Sequence, residues 1–167
     1  MSPVEVGQLA PAVGLEVPDA NGNQRAIADA LARGPVLLGI YKSSCQASKA
    51  MFPMLERLHQ RYSGNGLQVL GVAQDSANVT QSFARRYGIT FPILIDNDDY
   101  PISRAFDIMA TPTVYLIQPD GTIAFTTMGF FKDQVNQLAD AVAAELDLPP
   151  TALTSEEETD VPVFVPG

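Results

Sequence analysis

The sequence holds a single cysteine and a single histidine in 167 residues, and that scarcity removes whole classes of chemistry. One cysteine cannot form an internal disulfide or a cysteine-rich metal cluster. The histidine, His59, stands in Leu58-His59-Gln60-Arg61, which reads as a solvated helix edge. Counted along that helix it lies roughly 20 Å from Cys45, too far for a Cys-His pair. Basic residues are scarce too. Ten Lys and Arg against 19 Asp and Glu leave a net charge of −9, which argues against nucleic acid or an anionic membrane as partner. No apolar run is long enough to span a bilayer. Residues 1–11 carry neither a basic start nor an apolar core, so no signal peptide is expected, and a cytoplasmic location is the expectation. No phosphate loop or nucleotide fingerprint occurs, and no cofactor and no metal are expected.

What remains suits one globular domain: the length is sufficient for a sizeable core, and 46% of the residues are apolar. The informative stretch runs from Pro35 to Pro53. Val36 to Tyr41 is a continuous apolar run, short enough for a strand buried on both faces. From Ala47 the apolar residues recur at helical spacing through Met51, Leu55, Leu58 and Tyr62. Cys45 therefore sits where a buried strand gives way to a helix. A helix N-terminus stabilises an anion, so the thiol there should have a lowered pKa, with Lys42 and Lys49 as flanking charges that could add to the effect. A lone cysteine is in general a small buried hydrophobe, but this placement favours a reactive one. Pro53 inside the helical pattern predicts a kink.

Around this stretch the chain alternates strands and helices. Asn21-Gly22 predicts a β-hairpin, Asp29 to Leu31 a helical turn, and Leu67 to Ala73 a second buried strand. Val79, Phe83 and Tyr87 mark a helix closed by Gly88. Pro92 to Ile95 reads as a short strand followed by Asp96-Asn-Asp-Asp99, a cluster that suggests calcium but is more simply a turn. Ile102 to Phe106 is a brief helix, Val114 to Ile117 a strand, Thr122 to Met128 its return partner, and Val135 to Leu146 the last helix.

The pattern of strand, Cys45-Gln-Ala-Ser48 and then Phe52-Pro53 resembles the active-site segment of thioredoxin-like proteins. The resemblance is to the redoxin branch, which includes thiol-disulfide reductases and the alkyl hydroperoxide reductase/thiol-specific antioxidant proteins. Val6 to Pro11 is similar to that branch's leading segment, and residues 78–96 to its insertion. The resemblance implies an α/β, thioredoxin-like fold: a central mixed β-sheet flanked by helices, with an N-terminal β-hairpin and the redoxin-type insertion. It also implies a cis Thr111–Pro112 bond facing the cysteine. Cys45, Ser48 and Pro112 are then the catalytic candidates, and Ser44, Thr111 and Lys42 the substrate-binding ones. The implied activity is thiol-disulfide oxidoreduction of an antioxidant type, with protein or small-molecule thiols and disulfides as partners.

The sequence departs from that family in three places. Ser48 replaces the resolving cysteine, Gly39 the buried aspartate, and Ser44 the aromatic that precedes the cysteine. Ser48 cannot resolve a mixed disulfide, though its hydroxyl can hydrogen-bond a Cys45 thiolate. Three accounts stand: a monothiol route with an external thiol such as glutathione, a serine introduced to trap intermediates, or a non-catalytic interaction module. A single-cysteine peroxidase fits less well, since the hydroxyl and proline its motif requires are Lys42 and Leu38. Arg104, which could activate such a cysteine, reads more simply as the exposed face of a short helix.

Two regions are expected, a domain over 1–148 and an acidic, proline-rich tail over 149–167. The composition of the tail's first part is that of a disordered segment. Val163, Phe164 and Val165 are its expected anchors, docking on the same domain or on a second copy to make a homodimer.

Overall fold

A computed structural model describes residues 2–167. The Asn21-Gly22 turn joins β1 (Val17–Pro18) to β2 (Gln24–Arg25) as an antiparallel hairpin. Asp19 holds the turn: its carboxyl accepts the amides of Asn21 and Asn23 and pairs with Arg25 at 2.6 Å. Helix α1 (Ile27–Leu31) leads into β3 (Val36–Tyr41), and α2 (Gln46–Tyr62) follows. Then come β4 (Gln68–Ala73), α3 (Ala77–Tyr87), β5 (Ile93–Ile95), α4 (Pro101–Phe106) and β6 (Thr113–Ile117). The chain continues through β7 (Ile123–Met128), β8 (Phe130–Phe131), α5 (Lys132–Glu145) and β9 (Phe164–Val165).

Five strands form the central sheet in the order β5-β4-β3-β6-β7. β3 pairs parallel with β4, and β4 with β5. β3 to β6 and β6 to β7 are antiparallel. The sheet is therefore mixed, as expected, with β3 at its centre. Both faces are covered, which is why Val36 to Tyr41 has no polar alternation. Leu37 and Tyr41 face a core built by α2, α3 and α5, while Val36, Leu38 and Ile40 face the other core, with α1 and α4. The stretch over Gly7–Ala10 runs along the outer edge of β7, exchanging backbone hydrogen bonds with Gly121 and Ile123, and so covers an exposed strand edge.

Helix α2 runs uninterrupted through Pro53. His59 is not a solvated edge: it is half-buried, with its ring 5.9 Å from that of Phe91 and its Nδ1 buried. The Asp96 carboxyl accepts the amides of Ile102 and Ser103 and the Ser103 hydroxyl. It serves the first turn of α4, as the turn reading implied.

The tail is held throughout its length by the domain itself. Arg57 of α2 binds Glu158 through both nitrogens and also reaches the Leu153 carbonyl. Arg61 donates to the carbonyls of Thr151 and Ala152. Asn136 of α5 accepts the amides of Leu153 and Thr154 and donates to the Thr154 carbonyl. The buried apolar anchors are Leu153 and Val161, whereas Val163 is 74% and Phe164 50% exposed. Of the expected anchors, Val165 is half-buried against the core and Phe164 packs on the Phe131 ring, and both pair with β8 as β9. A polar, acidic segment is ordered because side chains of two helices satisfy its backbone, a contribution that its own composition does not report.

Candidate functional site

The site is assembled where three segments meet: the end of β3, the start of α2 and the turn before β6. Cys45 keeps an extended backbone (φ −82°, ψ 124°) and is the N-cap of α2. An N-cap side chain faces the free amides of the second and third helical residues, here Ala47 and Ser48. The loop behind it is pinned twice, by the Cys45 amide donating to the Lys42 carbonyl at 3.1 Å and by the Ser43 amide donating to the Asp75 carboxylate at 2.8 Å.

The third segment brings Thr111 and Pro112. The Thr111–Pro112 peptide bond is cis, as the resemblance implied. The Cys45 thiol donates to the Thr111 carbonyl, with Sγ 3.2 Å from the oxygen. Ser48 is fully buried, and its Oγ accepts from the Lys42 amide at 3.5 Å, which leaves its own hydrogen free to turn toward the sulfur. The structure thus brings Cys45, Ser48 and Thr111 together, with Pro112 buried behind Thr111. Ser44 and Lys42 have exposed side chains at the rim.

The electrostatics favour a thiolate. Partial burial opposes charge on Cys45. The Thr111 side chain, the Ser48 amide and hydroxyl, and the Ala47 amide, which favour the charged sulfur, outweigh it, and the pKa falls below the ordinary thiol value. No amide closes a cap bond of ordinary length on the sulfur while it is a thiol. The donors are in position for the charge that appears on ionisation, when the S–H···O contact to Thr111 is lost. Lys42 and Lys49, expected to assist, are not among the largest contributions.

The departure at Gly39 also has a physical basis. A Cβ there would lie 2.8 Å from the Leu55 side chain and 3.3 Å from the Phe52 ring. The space a side chain at this position would need is filled by apolar side chains. Arg104 is exposed and pairs with Asp99 at 2.9 Å, so it does not serve the thiol. Among the described residues no group of three His, Cys, Asp or Glu side chains could hold a metal ion. Asp75 escaped the sequence reading; its only signal was an acidic residue just past the end of β4.

The AhpC/TSA family model matches residues 6–126. The thiol-disulfide oxidoreductase ResA of Bacillus subtilis is 28% identical over 127 residues, covering 75% of this chain and 69% of the relative. The thioredoxin-like protein YneN of the same organism is 31% identical over 124 residues, covering 72% and 69%. Among solved structures, one from Chlorobium tepidum assigned to the thiol:disulfide interchange protein DsbE superposes with a TM-score of 0.77 at 22% identity, covering 86% of this chain and 99% of the other. Peroxidoxin BcpB from Mycobacterium tuberculosis gives a TM-score of 0.71 at 19% identity, covering 86% and 97%. At those identities the superpositions establish the thioredoxin-like fold alone.

Proposed function

The chain belongs to the AhpC/TSA family, and from that premise we propose that it is a thiol-disulfide oxidoreductase whose sole nucleophile is Cys45, working by a monothiol route. The observation that carries this reading is the placement of Cys45 as N-cap of α2, with its sulfur 3.2 Å from the Thr111 carbonyl beside Pro112 and its pKa lowered. ResA relatives, named as thiol-disulfide oxidoreductases, support the reaction class.

The Cys45 thiolate attacks one sulfur of a substrate disulfide and forms a mixed disulfide. The substrate's other sulfur leaves as a thiolate and takes a proton from solvent. Ser48 has no thiol with which to displace the substrate, so an external low-molecular-weight thiol attacks the substrate's sulfur in the mixed disulfide. Cys45 is released as thiolate, and substrate and external thiol are left joined. A second external thiol completes reduction, and the two external thiols leave as their own disulfide. Ser48 holds the thiolate at both ends of the cycle through its amide and hydroxyl.

The test is a trapping assay with glutathione as the external thiol. The expected result is a mixed disulfide at Cys45 that glutathione resolves, with disulfide reduction following. A Cys45 that forms no mixed disulfide would leave the interaction-module reading in its place, and rapid oxidation by hydrogen peroxide without disulfide exchange would favour the peroxidase.

A further inference from the structure

The tail has two parts of different character. Residues 151–161 form a clasp, fixed by Arg57, Arg61 and Asn136 and by the burial of Leu153 and Val161. Residues 163–167 form a strap. Its pairing with β8 covers only two residues, Phe130 opposite Val165 and Phe131 opposite Phe164, with one more bond from the Lys132 amide to the Val163 carbonyl at 2.9 Å. The Phe131 and Phe164 rings lie 4.6 Å apart. The strap then runs on to the thiol site. A Cβ built on Gly167 would lie 2.5 Å from the Thr111 carbonyl oxygen, the same oxygen that accepts from Cys45, and 3.3 Å from the Gly129 Cα. The end of the strap is therefore packed against the segment that faces the nucleophile.

This strap is an extended apolar segment, Val163-Phe164-Val165, adding a strand to an otherwise short edge. Beside it an open groove of about 420 Å³ is lined by Ile108, Met109, Met128 and Phe131, among others. Met109, Met128 and Phe131 are among the most exposed large apolar side chains, and methionine-rich surface of this kind adapts to varied apolar partners. Strand addition recognises a peptide through its backbone and through pockets for alternate side chains. We propose that the β8 edge and this groove form the docking surface for an extended apolar segment of a protein disulfide substrate, and that the strap over residues 163–167 is its built-in competitor. The proposal rests on Cys45 acting as the nucleophile, and it names the substrate as polypeptide. Two ladder pairs and half-exposed side chains make the strap the low-stability end of the tail. It can lift while the clasp stays in place.

The test compares the full chain with a variant lacking residues 163–167 and with G167V, in which the added side chain cannot fit against Thr111. Two reactive probes are used, cystamine and a Val/Phe-alternating peptide oxidised as its cysteine disulfide. Removing the strap should raise the rate of mixed-disulfide formation with the peptide by about tenfold, the correction for an edge that is free about one tenth of the time. The rate with cystamine should stay within about twofold, and G167V should move in the same direction by less. Binding of the same peptide with serine in place of cysteine, followed by fluorescence anisotropy, should tighten by a similar factor in the deletion and by less in G167V. An unchanged peptide rate, an equal rise with both probes, or weaker peptide binding would overturn the proposal. Tighter peptide binding with no exchange at Cys45 would instead uphold the docking surface and sink the redox reading.

Discussion

Helices α2 and α4 start with the same set of donors, used in two ways. In α4 the second and third residues, Ile102 and Ser103, give their amides to Asp96 at 2.8 Å each, and the Ser103 hydroxyl adds a third bond at 2.7 Å. In α2 the second and third residues, Ala47 and Ser48, present two amides and the Ser48 hydroxyl to Cys45. The acceptor at α4 is 1% exposed and its bonds are closed. The acceptor at α2 is only partly buried, and in the thiol form it donates to the Thr111 carbonyl instead. A closed, buried cap contributes to stability. An open cap on a titratable sulfur holds donors ready for a charge that appears during reaction.

That contrast can be broken at four points. The largest effect belongs to C45S: thiol-disulfide exchange should vanish entirely, while serine, a good N-cap, keeps the melting free energy within about 1 kcal/mol. Residual exchange in trapping assays would mean that another group reacts. D96A should do the reverse. Buried amides and a hydroxyl lose their acceptor, at a cost of about 3 kcal/mol by urea unfolding, with the reactivity of Cys45 unchanged. S48C should close a disulfide with Cys45 across the first turn of α2, visible as loss of both thiols to alkylation, and should raise turnover with a dithiol reductant on the order of tenfold. Formation of that disulfide without a gain in activity would show that the missing resolving thiol is not the limit. The smallest effect is that of S48A, which removes one hydroxyl donor and should slow alkylation at neutral pH by about threefold, near the net worth of one hydrogen bond.

The two caps also show why parts of the fold were legible in the sequence and parts were not. β3 was readable to the residue because both of its faces are buried and its apolar run is bounded by Gly34-Pro35 and Lys42. Cys45 at the helix start followed from the change in apolar spacing, and the cis Thr111–Pro112 bond from family resemblance. Asp75 was invisible because its contact with Ser43 spans 32 residues and leaves no local pattern. The largest contributions favouring the thiolate come from amides and hydroxyls, whose direction sequence proximity does not report. In the tail, hydrophobicity pointed to Val163, Phe164 and Val165. Val165 does pack against the core, but the fully buried anchors are Leu153 and Val161, chosen by where Arg57 and Asn136 fix the backbone. Long-range partners of that kind leave no period to read.

The Thr111 side chain and the open cap of α2 together favour a thiolate on Cys45. The folded chain holds that thiolate more tightly than the unfolded chain does. The group therefore adds stability above the unfolded thiol's pKa of about 8.5, and the increment disappears as the pH falls through the lowered folded value. The direct measurement is the rate of iodoacetamide alkylation of Cys45 across the pH range, in the native protein and in denaturant. The account predicts a native midpoint below the denatured one, which should lie near the free value of about 8.5. A native midpoint at or above the denatured one would contradict it.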